Sequence, residues 1–333
     1  MIRQLSGRAA FVIVALTLGC QQAAPTQAAA PPTKAPVQTK TTPAPDKKAV
    51  KSPKARPTQE GGGVSARPVD KEQYAWMASW PDDLPELTTL EGRFAPPEGF
   101  ARVPASKGSF AAWLRGLPVR LDRTGVQSFR GDGLSSPSAA VVLLDVGSRD
   151  LQQCADMAIR LRAEYLWSAG KAKTVQYDFT SGDLSTWSAW KGGERFKIAG
   201  NKVERKRGKA RKGNHQEFRR YLDNVFRYAG TRSLARDSKA LKDDQPIEPG
   251  DFFVQPGGPG HAVVVLDVVE HEDGRRAALI GQGFMPAQDF HVVTRRGADV
   301  LDAVWFVLPK AGQTLDTPSW SPFERSEARR WTR

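Results

Sequence analysis

GDFFVQPGGPGHAVVVLDVVEHEDGRRAALIGQ, residues 250–282, is the stretch whose reading decides the fold class. Pro249-Gly250 turns the chain into a short apolar strand over residues 251–255, and Gly257-Gly258-Pro259-Gly260 reads as a loop, because glycine and proline punctuate regular structure. Residues 261–270 are almost all Val, Ala and Leu, the signature of a buried strand. Asp273-Gly274 is a tight-turn signal that folds residues 275–282 back as the antiparallel partner. Val292-Val293 and the run Val304–Leu308 add strands downstream.

Outward from this hairpin, the upstream chain is helical in period. Residues 215–229 form a helix that Gly230 ends. The run Ala139–Val146 reads as a further buried strand, after which Asp150 or Ser148 caps a helix reaching about Trp167. The apolar stripe of that helix is Leu151, Cys154, Ala158, Leu161 and Tyr165, spaced three and four apart, with Arg160 and Glu164 expected as a surface pair one turn apart. Residues 173–180 alternate as a strand, and residues 187–198 read as a strand pair. Residues 71–135 are rich in proline and carry a helical turn or two at residues 110–115. Helices first and a hairpin-rich antiparallel sheet after them make the class α+β.

The chain is expected to divide into residues 1–20, 21–70 and 71–333. The first twenty residues join a short basic region to an apolar core, too short for a membrane span of about 20 apolar residues and suited to a secretion signal. Leu16-Thr17-Leu18-Gly19-Cys20 resembles a lipobox, with Thr17 where a leucine is usual; an ordinary signal with an incidental cysteine is the alternative. The resemblance implies lipid on Cys20 and attachment to the membrane through it, and Gln21 in place of aspartate favours the periplasmic face of the outer membrane. Residues 21–70 hold Pro, Ala, Thr, Lys and Gln and few large apolar side chains, so they cannot offset the entropy of ordering and are expected to be a disordered tether.

The formal charge of +13 sits partly in that tether and partly in Lys202–Lys212, Lys-Val-Glu-Arg-Lys-Arg-Gly-Lys-Ala-Arg-Lys. The run is read as a solvated loop. It has no interleaved aromatics to stack on bases, and export removes a nucleic-acid partner, which leaves peptidoglycan, other anionic envelope polymers or lipid headgroups as contacts. No obligate protein partner is evident. Trp187 and Trp190 invite stacking on sugars, but three residues apart near a strand end they read first as core and rim. His261, His271 and His291 lack the tight spacing of metal ligands, so no metal or other cofactor is expected.

Two cysteines occur in the chain. With Cys20 lipidated, Cys154 is left without a disulfide partner in an oxidising compartment, and is either a buried inert thiol or a functional one. Near a helix start the dipole favours its thiolate. A thiolate beside a histidine is an activated nucleophile, and His261, opening a strand after a glycine loop, is the candidate base. Against this, cysteine on an apolar stripe is also a small buried hydrophobe, and a strand-end histidine also serves by bonding backbone.

Residues 71–325 resemble the uncharacterised bacterial domain of unknown function 4846, through Gln153-Cys154-Ala155-Asp156 with Arg160–Tyr165, Tyr228–Leu234, Gly250–Phe253, Pro259-Gly260-His261-Ala262 and Met285–Asp289. A second resemblance runs from Val225-Phe226 through Ala229-Gly230, Gly250-Asp251 and His261 to Asp267, and is to the second half of NlpC/P60 and CHAP domains, papain-like cell-wall peptidases and amidases. It implies a papain-like fold, His261 as the catalytic histidine and a polar residue on the next strand to orient it. The nucleophilic cysteine of those enzymes starts the helix before the Gly-Asp, near Glu217-Phe218 here, where no cysteine stands, so Cys154, one helix earlier, would have to take its place.

Gln282 is the first candidate to orient His261, with Gln288 and Asp289 in reserve. Asp267 is excluded, since six residues along one strand separate it from His261 by about 20 Å. With the tight turn at Asp273-Gly274, Gln282 falls opposite Val265, about 13 Å from His261, and a six-residue loop would be needed to bring them opposite. The backbone N–H of Cys154 with the side chains of Gln153 and Gln152 would form an oxyanion hole. The expected activity is attack of Cys154 on a peptide or amide bond of the envelope, with a non-catalytic envelope-binding or scaffold domain as the alternative. The two part on geometry: catalysis asks for the Cys154 sulfur within about 4 Å of a His261 nitrogen in an open cleft.

Overall fold

A computed structural model of the protein describes residues 67–332, except 82 and 201. The signal, the lipid-attachment candidate Cys20 and nearly all of the proposed tether lie outside the described residues. The strands of the main sheet, the separate hairpin β3–β4 and the helices around them are, in chain order, β1 (Phe100–Arg102), α1 (Phe110–Arg115), β2 (Ser138–Val141), α2 (Cys154–Ser168), α3 (Trp187–Lys191), β3 (Glu194–Ala199), β4 (Lys202–Arg207), α4 (His215–Tyr228), α5 (Thr231–Arg236), β5 (Ser238–Ala240), β6 (Phe252–Gln255), β7 (His261–His271), β8 (Arg276–Gln282), β9 (His291–Val293), β10 (Val300–Leu301), β11 (Trp305–Val307) and β12 (Ala328–Trp331). Mixed helices and antiparallel strands make the class α+β.

The expected hairpin is the centre of a ten-stranded sheet of order β5-β12-β6-β7-β8-β9-β2. In addition β1 pairs with β7, β11 with β8 and β10 with β11. Burial follows the pleat. Ala262, Val264, Leu266 and Val269 face one apolar cluster with the α2 residues Ala155, Met157, Ala158 and Leu161. Val263, Val265 and Val268 face a second cluster with Phe253, Ile280, Val293 and Phe323. Both faces of β7 are covered, which explains an apolar run without alternation.

The register differs from the tight-turn reading in two places. The turn holds three residues: His271 N–H donates to Arg275 O at 2.9 Å, and Gly274 takes a positive φ of 81° that glycine adopts freely. A bulge between Val265 and Asp267 then shifts the ladder again, so that Val264 lies opposite Gly281. Together they bring Gln282 two residues nearer His261 than the two-residue turn would, without a six-residue loop.

Four local readings are corrected. Residues 187–191 form the helix α3, followed by the β3–β4 hairpin, where a strand pair was expected. The first half of the basic run is strand β4, not loop. Gly230 opens α5 and does not cap α4. Arg160 and Glu164 pair at 2.8 Å, but in the interior, with side chains 0% and 1% exposed. Helix α2 is buried on almost every side, because one side lies on β7 while α1, α5 and the segment near residue 173 pack on others. The pair survives burial because Arg160 also donates to Asp145 and to Gln152 Oε1, and Glu164 accepts from His215.

Among the described residues no helix is long and apolar enough to cross a membrane.

Candidate functional site

Cys154 is the first residue of α2. Gln153 caps that helix: its backbone N–H donates to Asp156 Oδ2 at 3.1 Å, in a capping box. Asp150, expected as a cap, instead accepts from Gln153 Nε2 at 2.9 Å and from Ala287 N at 2.7 Å, tying the helix start to the loop after β8. The helix approaches this loop because residue 283 is glycine. A β-carbon there would sit 2.7 Å from Met157 Cγ.

The helix start brings Cys154 onto β7 at the backbone flanking His261. Its Sγ lies 3.9 Å from Gly260 O, and the N–H groups of Ala262, Ala155 and Cys154 itself face the sulfur. These donors pull the thiol toward ionisation, but burial outweighs them and, with the nearby Asp156 charge, pushes its pKa up to about 11.

His261 is fully buried. Its Nε2 lies 3.1 Å from Gln282 Oε1, and its ring packs against Phe284, Trp320 and Phe323, with centroids 5.0, 5.0 and 6.0 Å away. Burial in this aromatic box pushes the imidazole pKa down to about 4. The other ring nitrogen, Nδ1, has no hydrogen-bond partner. Gln282 continues the chain: its Nε2 lies 3.3 Å from His291 Nε2, and His291 Nδ1 lies 3.1 Å from Asp289 O.

The structure therefore gathers Cys154, His261 and Gln282 at one end of β7 and β8. It does not join them as the open-cleft geometry requires. The thiol bonds to Gly260 O and not to the imidazole, and Cys154 is only 6% exposed. The two oxyanion candidates are engaged elsewhere. Gln152, fully buried, donates to Asp145 O at 2.9 Å and accepts from Arg160 at 2.8 Å, while the Gln153 amide holds Asp150. The donors that do face the sulfur are backbone N–H groups.

The remaining candidates stand apart. Gln288 reaches Ser136 at 3.3 Å, and the Asp289 carboxylate pairs with Arg123 at 2.7 Å. Asp267 holds Arg102 and Arg115, and His271 sits by Asp273 and Phe100. No group of three His, Cys, Asp or Glu side chains able to hold a metal occurs among the described residues. Trp187 is core, and Arg195 covers one face of the half-buried Trp190 ring at 3.8 Å. Sequence reading weighed His291 only as a metal ligand. Its signal as a network member was its register, since it lies directly opposite Gln282.

The family model for a domain of unknown function (4846) matches residues 90–330, a span that contains every residue of this site. No curated protein and no solved structure matches the chain.

Proposed function

The chain belongs to the family of domain of unknown function 4846, and from that premise we propose that it is a thiol hydrolase of papain-like arrangement, acting on peptide or amide bonds of the cell envelope and resting in a closed state. The observation that carries this reading is the fully buried His261 nitrogen without a partner, on a strand whose backbone Cys154 touches on either side of that histidine. An orphaned ring nitrogen in the interior costs about 1–3 kcal/mol, and a proton donor arriving at Nδ1 removes that cost. Turning the Cys154 side chain from Gly260 O toward the ring would supply one.

In the proposed reaction His261 Nδ1 takes the thiol proton as sulfur adds to the substrate carbonyl. The tetrahedral oxyanion would be met by backbone N–H groups at the start of α2. Collapse breaks the C–N bond, and the amine leaves with the proton held on His261, giving a thioester. Water then attacks the thioester, passes a proton to His261 and releases the acid and the free thiol. Substrate would enter by displacing Trp320 and Phe284, both only partly buried. The envelope substrate class rests on the lipobox-like residues and the basic charge. Helix α2 would stand where the nucleophile helix of NlpC/P60 enzymes stands, with residues 169–237 as an insertion between it and β5, the next strand of the main sheet, which would account for the missing cysteine near Glu217.

The depth of burial and the raised thiol pKa favour a second reading, a non-catalytic envelope-binding domain in which Cys154 is a packing residue. Incubating the full chain with peptidoglycan fragments and resolving new amino termini separates the two. The hydrolase reading expects cleavage that Cys154→Ser and His261→Ala each lower by about a hundredfold or more. Cleavage unchanged in Cys154→Ser, or none in wild type while Trp320→Ala also stays inert, overturns it.

A further inference from the structure

We propose that His291 is a positioning residue: through Gln282 it dictates which nitrogen of His261 carries the proton. Its purpose rests on the thiol-hydrolase reading, while its geometry does not.

The polarity of the chain can be followed from its unambiguous end. The Asp289 carbonyl only accepts, so His291 Nδ1, 3.1 Å away, is the donor. His291 is fully buried, and burial holds its pKa below the ordinary value, so the ring is neutral and Nε2 keeps its lone pair. Gln282 Nε2 at 3.3 Å donates to that lone pair. Its Oε1 therefore faces His261 Nε2 at 3.1 Å, and an oxygen only accepts. His261 Nε2 must carry the hydrogen, which leaves Nδ1 as a lone pair: the form of neutral imidazole able to take a proton from a thiol.

Gln282 alone cannot enforce this. Its amide has a donor end and an acceptor end of nearly equal shape, and a half-turn would present N–H to His261 and select the opposite tautomer. With His291 in place the half-turn sets Oε1 against a lone pair in a buried site, a penalty of an unsatisfied polar contact. The bond lengths are fixed by the sheet: Gln282 lies directly opposite His291, and His291 opposite Val141 on β2. A second strand beyond the candidate triad thus sets the state of its base.

The test is the tautomer of His261, read from imidazole nitrogen shifts of the full chain labelled with 15N-histidine at neutral pH. Wild type is expected to show Nε2 protonated and Nδ1 bare. His291→Phe keeps the ring volume but removes the lone pair, and should move His261 toward the Nδ1-protonated form and lower kcat roughly tenfold or more at unchanged KM. His291→Gln, which offers an amide oxygen to Gln282, should restore both, which mere filling of space would not. Should His291→Phe fail to fold, His291→Leu serves in its place. A wild-type His261 protonated on Nδ1, or a tautomer unmoved in a folded His291→Phe or His291→Leu protein, overturns the proposal. A tautomer that responds as expected in a protein without turnover upholds the relay and removes only the hydrolase reading.

Discussion

At Cys154 two forces oppose each other on one sulfur atom. The helix start and three backbone N–H groups favour the thiolate; the interior and the Asp156 charge disfavour it and prevail, with the thiol pushed up to about 11. At pH 7 such a thiol is ionised in only about one molecule in 10⁴. Iodoacetamide labelling of the native protein should therefore be slow and should keep rising about tenfold per pH unit from 7 to 10, whereas an ordinary cysteine levels off near pH 8.5. A plateau below that would mean the thiolate is stabilised in the resting state. His261 carries a stability effect whose sign follows from its pKa, lowered from 6.5 to about 4. The folded state favours the neutral ring, so its contribution is complete above pH 6.5. As pH falls from there toward 4, the unfolded chain takes a proton that the folded chain refuses, and stability drops by up to about 3 kcal/mol. Urea midpoints at pH 7.5 and pH 4.5, compared between wild type and His261→Phe, should show the wild type losing more; parallel losses would mean the ring is not shielded.

At the scale of elements, the cap of α2 and the pairing of β7 with β8 decide where the site groups fall. The acid that closes the capping box is also the charge that raises the thiol pKa, so capping and thiol activation compete at the same turn. Asp156→Asn keeps an acceptor for the Gln153 N–H while removing the charge. Thiol labelling at pH 8 should speed up while the melting temperature changes little; an unchanged rate would show that Asp156 is already protonated there, as its own raised pKa permits. The strands themselves were plain in the sequence, because Ala262–Val269 is apolar but for Asp267 and lies between the glycine–proline loop and the Asp273-Gly274 turn. Gln282 was the first candidate because the NlpC/P60 resemblance asks for a polar residue on the strand after the histidine. The distance between Gln282 and His261 was not legible. It depends on one extra turn residue and one bulged residue, and neither Gly274 nor Leu266-Asp267 announces a count of residues between paired strands. The approach of α2 has a local signal in the sequence: Gly283 follows an apolar strand where only a missing side chain lets a helix come near.

Over the whole molecule, sequence reading found the sheet and the helices but misjudged what covers them, since periodicity reports a helix's own stripe and not its neighbours. Arg160 and Glu164 sit at a spacing typical of surface pairs, and only the segments folded over α2 make them core. The same holds for Asp267, which the strand reading could only exclude from the site. It follows the bulged Leu266 of β7, is fully buried, and receives Arg102 of β1 at 2.6 Å and Arg115 of α1 at 2.7 Å. Those guanidinium groups also donate to Phe94 O and Val103 O, so one carboxylate fastens the irregular chain before residue 116 to the central strand. Removing it strands two partly buried cations against a low-dielectric interior. Asp267→Leu is therefore expected to cost about 3–5 kcal/mol in equilibrium unfolding, the range for breaking a buried ion pair from one side. Arg102→Met should cost less, because Asp267 keeps Arg115 and stays paired. The triple variant Asp267→Leu, Arg102→Met, Arg115→Leu should recover part of the loss, since no charge is then left uncompensated. If Asp267→Leu alone costs under about 1 kcal/mol, the pairs behave as solvent-screened surface contacts, and the first segments of the domain are held to the sheet by apolar packing instead.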